Sequence, residues 1–135
     1  MSLTFQPNVG PEWWKAIEKA WAFIRSPANS FVSIEYGRAI ELWAAFGISS
    51  TTLSFVPIAM APHTVAELLA DHHSVTYETG GYAPTMIYRH EYVVTTVAGE
   101  GQDAIFTLYN PWGFFETHTF FDLYINGTGR FYFTL

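Results

Sequence analysis

The segment from Arg89 to Gly113, RHEYVVTTVAGEGQDAIFTLYNPWG, is the feature that most constrains the fold of this chain. It holds two stretches rich in β-branched and aromatic residues, and the AGEGQD between them is typical of a turn. The segment therefore predicts a β-hairpin. Pro111 has no N–H to donate to a central ladder, so we expect the second strand to end directly after Asn110.

The register of this hairpin decides which side chains meet. If the turn is centred on Glu100, Val97 lies opposite Asp103 and His90 lies opposite Asn110. Directly opposed residues share one face of the sheet, with Cβ atoms roughly 4.5–5.5 Å apart. We therefore expect a hydrogen bond between the side chains of His90 and Asn110. The prediction depends on register, because a slip of one residue moves Asn110 to the other face.

A histidine oriented by an amide oxygen is one half of a cysteine-peptidase site. The imidazole takes a proton from a thiol, and the Asn holds the ring in its working orientation. Trp112 falls where its indole can cover the pair, and a lower local dielectric strengthens the hydrogen bond. A purely structural role for His90 is the alternative, since a histidine in a strand is more often structural.

The rest of the chain predicts helices first and antiparallel strands second, which is the α+β class. Apolar spacing predicts three helices, in GPEWWKAIEKAWAFIRSP, GRAIELWAAFG and TVAELLADHH. We expect Gly47 to end the second helix, and Thr64 with Glu67 to form a capping box in the third. The predicted strands are SVTYET, MIYRHEYVVTTV, AIFTLY and RFYFTL. Thr119 with Asp122 predicts the cap of a single helical turn.

The other histidines have simpler interpretations than catalysis or metal binding. His72 and His73 lie near the negative end of the third predicted helix. His63 and His118 have no partner at a spacing typical of metal ligands, so we expect surface or packing roles. The Asn-Gly at positions 126–127 is a common turn dipeptide.

Composition excludes several classes of function. A chain of 135 residues is the size of one domain, and we expect a single domain over residues 1–135. A net charge of -6 with only six Lys and Arg argues against a nucleic-acid partner. The absence of Cys excludes a thiol nucleophile in these residues and fits a cytoplasmic location. The sequence contains no run of about 18 apolar residues, so we expect no membrane span.

The residues of the hairpin resemble the calpain family of papain-like cysteine peptidases. That family carries a His followed closely by an aromatic residue, as in His90-Glu91-Tyr92. A strand, a variable turn, a second strand and Asn-Pro-Trp-Gly follow, as at residues 110–113. EWWKAIEKAWAFI is similar to the helix that opens the family's His-bearing lobe, and FETHTFFDLYINGTGRFYFTL is similar to its ending. Residues 26–86 match only loosely.

The resemblance implies a fold and a set of roles. The fold would be that of a papain-like C-terminal lobe, with N-terminal helices before a twisted antiparallel sheet or half-barrel. His90 would be the general base and acid, Asn110 would orient it, and Trp112 would shield both. The residues implied for substrate binding are Gly80, Gly81 and Arg89. Arg89 stands where the family usually has Gly. The resemblance raises calcium as a candidate cofactor, but the acidic insertion that helps to bind calcium in animal calpains is absent here. We expect no metal or other cofactor.

The family's nucleophilic Cys and oxyanion-hole Gln belong to the other lobe, and this sequence has no Cys. The resemblance thus implies the C-terminal lobe of a calpain-like endopeptidase, inactive alone. Its partners would be the Cys-bearing lobe of the same parent protein and a protein or peptide substrate. A non-catalytic peptidase-like module that binds a peptide or protein is the main alternative, and an unrelated α+β domain is the third. Docking surfaces are apolar, so a homodimer is compatible with the first two.

Overall fold

The computed structural model describes residues 39–135, so the helix expected in GPEWWKAIEKAWAFIRSP lies outside the described residues. This part of the chain contains three α-helices and six β-strands. They are α1 Ala39–Ala45, β1 Ser50–Ser54, α2 Ala61–Ala70, β2 Val75–Thr79, β3 Glu91–Ala98, β4 Ile105–Asn110, β5 Phe114–Thr119, α3 Phe120–Asn126 and β6 Gly127–Thr134. Among these helices, none is long and apolar enough to cross a membrane.

The six strands form one antiparallel sheet in the order β1-β6-β2-β3-β4-β5. β3, β4 and β5 follow one another as a meander, whereas β6 returns to lie between β1 and β2. The edge strands β1 and β5 do not pair with each other in the described part of the chain, so the sheet is open. The predicted α+β class with an antiparallel sheet is confirmed.

The core of the sheet is aromatic. Phe131 on β6 packs against Phe55 and Phe106, with ring centroids 4.7 and 5.4 Å away. Tyr77 on β2 is also fully buried, and its hydroxyl donates to the carbonyl oxygen of Leu123 at 2.9 Å. A buried phenol needs such a partner because an unpaired hydroxyl in the core is costly. This bond ties the sheet to α3.

Both α1 and α2 end in the same hydrogen-bonded motif, in which the residue after the cap is left-handed. In α1 this residue is Gly47, with φ 75°, as the sequence predicted. Its N–H donates to Ala44, and the N–H of Ile48 donates to Trp43. In α2 the same position is taken by His72, with φ 64°.

The start of α2 differs from the prediction. The helix begins at Ala61, and Pro62 lies in its first turn, where the missing N–H of a proline costs nothing. Thr64 is therefore already inside the helix. Its hydroxyl donates back to the carbonyl of Met60 at 3.1 Å instead of capping the N-terminus. The predicted capping box is wrong. The cap at α3 is confirmed, because the Thr119 hydroxyl accepts from the N–H of Asp122 at 3.1 Å.

The hairpin forms, but its predicted register is wrong. Val97 pairs with Phe106 rather than with Asp103. The reason is the connection, where Gly101–Asp103 form a short 3₁₀ turn and take no part in the ladder. The expected strand MIYRHEYVVTTV is also shorter than predicted, because β3 begins only at Glu91.

Candidate functional site

A β-bulge in β3 places the candidate site on the core face of the sheet. Near the turn, Val97 pairs with Phe106, and further along Val94 pairs with Leu108, so Thr95 is the extra residue between two registers. Its hydroxyl donates to the carbonyl of Thr107 at 3.0 Å. A bulge of one residue exchanges the two faces of a strand beyond it. The side chains of Val94 and Tyr92 are consequently buried.

His90 and Asn110 meet at the end of this hairpin, as the sequence predicted. The Nε2 atom of His90 lies 2.9 Å from the Oδ1 atom of Asn110, and neither residue is exposed to solvent. They are not directly opposed. Continuing the observed register places Tyr92 across from Asn110, and His90 is the next residue of the same face. Diagonal neighbours of this kind remain within reach of long side chains.

Two aromatic rings enclose the imidazole. Trp112 and Tyr92 each present a ring in edge-to-face geometry, with centroids 5.0 and 4.6 Å from that of His90. Burial raises the pKa of the Tyr92 phenol, the negative charge of Glu116 raises it further, and a backbone hydrogen bond at Ile87 partly opposes both. Tyr92 is therefore a neutral ring at ordinary pH. Trp112 thus lies against the imidazole of His90, and its role as a cover for the His–Asn pair stays a prediction.

The second imidazole nitrogen, Nδ1, is the atom of the site that is available for proton transfer. His90 Nδ1 is buried and has no hydrogen-bond partner within residues 39–135. A buried polar atom without a partner costs about 1–3 kcal/mol, so such atoms call for a functional explanation. An unpaired imidazole nitrogen can accept a proton, which is the property of a general base.

Asn110 is held on the side away from His90 by Glu116. The Nδ2 atom of Asn110 donates to Glu116 Oε2 at 3.2 Å, and the backbone N–H of Trp112 donates to Asn110 Oδ1 at 3.0 Å. Glu116 Oε1 lies 2.7 Å from His118 Nε2, and His118 Nδ1 lies 3.7 Å from an Asp122 carboxylate oxygen. His118 is thus a member of a polar chain that starts at His90, which the sequence interpretation missed.

The predicted substrate-binding residues lie on the loop that precedes His90. This loop is closed by the N–H of Arg89 donating to Gly80 at 2.9 Å. The Arg89 guanidinium lies over Gly81, whose ideal Cβ position is 3.5 Å from Arg89 Nε. Arg89 has φ 48°, a backbone conformation that favours glycine. All three residues therefore belong to the loop that leads into His90.

Asn126 fixes the same loop and was not identified from the sequence. It is fully buried, and its side chain accepts from the N–H of Thr85 at 3.0 Å and donates to the Thr85 hydroxyl at 2.7 Å. Its carbonyl accepts from the N–H of Gly80 at 2.8 Å. The predicted Asn-Gly turn is wrong, because α3 runs to Asn126 and β6 begins at Gly127.

The role of Glu116 could have been suspected from the segment FFETHTF, in which Glu116 and His118 alternate with other residues as on one face of a strand. Two titratable residues two positions apart on a strand share one face, and β5 is paired so that this face is the one shared with Leu108 and Phe106. Among the described residues, no group of three or more His, Cys, Asp or Glu side chains is arranged to hold a metal ion.

No protein-family model matches the chain, and no curated protein matches it at a significant level. The chemistry that the site can perform therefore has to be inferred from its geometry.

Proposed function

We propose that this chain is the C-terminal, His- and Asn-bearing lobe of a calpain-like cysteine endopeptidase, with the papain-like fold of such a lobe. The observation that carries the proposal is the 2.9 Å contact between His90 Nε2 and Asn110 Oδ1 in a fully buried pair. It uses one ring nitrogen for orientation and leaves the other for proton transfer. The edge-to-face contact of Trp112 with the His90 ring supports the shielding role that the resemblance implies.

In this proposal the nucleophile comes from a second lobe. The Cys S–H proton passes to His90 Nδ1, and the thiolate attacks the carbonyl carbon of the scissile peptide bond. The proton on Nδ1 then passes to the leaving amine, and water hydrolyses the thioester with His90 again as the base. Asn110 keeps the ring in plane with the transfer, and its oxygen stabilises the imidazolium that forms.

The backbone conformation of Arg89 is a second observation that supports the proposal. The calpain family usually has Gly before the His, and the φ of 48° at Arg89 is a conformation in which Gly is favoured. Arg89 is not the Gly of the family pattern, but its backbone has a conformation that fits a Gly at this position. We accordingly propose that the cleft is lined by the loop of Gly80, Gly81 and Arg89.

The chain by itself should not hydrolyse peptides, since its sequence holds no Cys. Removal of a nucleophile from such a group of residues costs on the order of 10⁶ in rate. The absence of Cys also suits a reducing compartment, and a cytoplasmic location is part of the proposal. No calcium site is proposed.

The burial of His90 favours a second candidate, a non-catalytic module that binds a peptide or protein. Because His90 is completely buried, a thiol can reach Nδ1 only if the atoms now beside it move. A module that never meets a thiol has no such requirement. Its binding surface would be the exposed aromatic run after Asn110, where Trp112, Phe114 and Phe115 are 46%, 47% and 64% exposed.

One experiment separates the two candidates. The source gene is sequenced upstream of the codon for Leu3, and its complete product is expressed. The first candidate requires a Cys-bearing segment in the same frame and hydrolysis of casein, which His90→Ala should reduce by on the order of 10⁴–10⁶. His63→Ala is the matched control, because His63 is an exposed histidine that pairs with Glu67 on α2. A product without Cys, or a His90→Ala variant of unchanged rate, would overturn the peptidase proposal and leave the binding module.

A further inference from the structure

Glu116 is a charged residue on the core face of the sheet. It pairs with Leu108 across β4 and β5, and Leu108 is fully buried. The side chain of Glu116 retains only 24% of its exposure. A carboxylate in such a position is stabilised by its donors, which here are Asn110 Nδ2 and His118 Nε2. The first of these donors belongs to the residue that orients His90.

The contacts of Glu116 determine which way the Asn110 amide points. An ionised carboxylate only accepts hydrogen bonds, so the NH₂ group of Asn110 must face Glu116. The amide oxygen then faces away, toward His90. The backbone N–H of Trp112, which can only donate, lies 3.0 Å from the same oxygen and fixes the same orientation. Both neighbours of the amide therefore select one of its two possible orientations.

The orientation of the amide in turn determines the protonation of the imidazole. Asn110 Oδ1 is an acceptor, so His90 Nε2 at 2.9 Å must carry the proton. In the neutral ring the other nitrogen is then unprotonated. This tautomer leaves a lone pair on Nδ1, the buried atom that has no partner in residues 39–135. A flipped amide would place NH₂ against Nε2, and the proton would move to Nδ1.

We infer that Glu116 is a positioning residue that sets the tautomer of His90 through Asn110. Its use in catalysis rests on the proposed function, but the tautomer is a property of this chain and can be measured without any peptidase activity. Glu116, Asn110 and His90 are linked in a row by hydrogen bonds. The other titratable groups beside this row include His118 and Asp122 near Glu116, and Tyr92 near the imidazole.

The test is ¹⁵N NMR of the histidine side chains in the full chain. Protonated and unprotonated ring nitrogens resonate in separate regions, and spectra at about pH 9 report the neutral ring, whose ordinary pKa is about 6.5. We expect wild-type His90 to show a protonated Nε2 and an unprotonated Nδ1. Glu116→Leu removes the carboxylate acceptor and leaves the Trp112 N–H to orient the amide alone, so the second tautomer should become populated beside the first. Glu116→Gln, whose carbonyl can still accept from Asn110, should restore the single tautomer.

Two further variants complete the design. Glu67→Leu removes a carboxylate from the exposed face of α2 and should leave the spectrum of His90 unchanged. Glu116→Asp keeps the charge but shortens the side chain by one methylene, so it should populate both tautomers as Glu116→Leu does. It replaces the Leu variant if that variant does not fold. A single wild-type tautomer in both Glu116→Leu and Glu116→Asp would overturn the inference.

The two proposals fail separately. If His90→Ala abolishes hydrolysis in the parent enzyme while the Glu116 variants keep the wild-type tautomer, only the role of Glu116 is wrong. If the tautomer changes as expected but the complete gene product contains no Cys, only the peptidase proposal is wrong.

Discussion

The hydroxyl of Thr95 donates to the carbonyl of Thr107 at 3.0 Å, at the point where β3 gains one residue over β4. Without the extra residue, the register near the turn would continue to place Val93 opposite Asn110. Asn110 would then face away from His90. The contact between the two site residues therefore depends on a bulge several residues away from either of them.

Deletion of Thr95 should disrupt the site and the core together. The deletion reverses the faces of β3 on one side of position 95, so that either Tyr92 and Val94 or the residues near the turn point away from the core. Each large apolar side chain withdrawn from the core costs about 1.5–3 kcal/mol. We expect a loss of about 3–6 kcal/mol in the free energy of unfolding, measured by urea denaturation. Thr95→Val keeps the bulge, loses one hydrogen bond and should cost only about 1 kcal/mol. Equal stability of the two variants would contradict this role of the bulge.

Trp112 should protect the hydrogen bond between His90 and Asn110 from water. In Trp112→Ala we expect faster exchange of the His90 Nε2 proton with solvent, followed by NMR. Loss of the ring pair should cost a further 0.5–1.5 kcal/mol or so in stability. Phe115→Ala is the control, because Phe115 packs on Tyr109 on the other face of the sheet. If both variants exchange at the same rate, Trp112 is not the shield.

Stability should fall in alkaline solution because of two buried phenols. Burial raises the pKa of Tyr77, with Tyr92 and Asp122 adding to it, and burial followed by Glu116 raises the pKa of Tyr92. The folded chain thus holds both protons more tightly than the unfolded chain, whose tyrosines titrate near pH 10. The stabilisation is complete below about pH 10 and is lost above it, by about 1.4 kcal/mol per pH unit for each tyrosine.

Denaturant titrations between about pH 9 and pH 11.5 measure this slope. Tyr77→Phe should remove its own share of the slope, although it also loses the hydrogen bond to Leu123. Tyr82→Phe should leave the slope unchanged, since Tyr82 is 81% exposed. A slope that survives replacement of both Tyr77 and Tyr92 would have to arise from other groups.

The two equivalent helix ends offer a reciprocal test of backbone strain. His72 and Gly47 occupy the same left-handed position after α2 and α1. A side chain there costs about 1–2 kcal/mol, so His72→Gly should raise the thermal midpoint and Gly47→His should lower it. An ideal Cβ on Gly47 meets no atom within 4 Å in the described part of the chain, so the effect comes from the backbone alone. Changes of the same sign would contradict this explanation.

Gly127 should not tolerate even a methyl group. Its ideal Cβ would lie 2.7 Å from the Leu123 carbonyl oxygen and 2.8 Å from Tyr77 Cε1. That carbonyl cannot move freely, because it accepts the Tyr77 hydroxyl. We expect Gly127→Ala to cost about 1–3 kcal/mol by chemical denaturation. Gly81→Ala meets only ordinary contacts at 3.5 Å and should change stability by less than about 0.5 kcal/mol.

Parts of this structure could be predicted from local signals. The α+β class, the hairpin, the stop at Gly47 and the Thr119 cap each depend on neighbours in sequence, and each was correct. The meeting of His90 and Asn110 was also predicted, but from a register that is wrong. The expected pairing and the real one differ by two residues at the site, and an even shift keeps side chains on the same face.

Other parts could not be predicted, because their cause lies far away in the chain. The bulge at Thr95 is fixed by which residues of β3 and β4 must be buried. Asn126 binds Thr85, which is 41 residues away. Glu116 contacts Asn110 because β5 pairs with β4. The residues of FFETHTF alone do not show that this carboxylate reaches Asn110.

The position of β6 has a consequence for how the chain acquires its structure. Among the described strands β6 comes last in sequence, yet it lies between β1 and β2. β1 is joined to the sheet through β6, whereas β2 also pairs with β3. While the chain is being synthesised, β1 must wait with its edge unpaired until residues 127–134 have emerged. Such distant pairings fold slowly, and unpaired strands are open to the wrong partner in the meantime. The addition of β1 to this sheet is therefore an event that follows translation of β6.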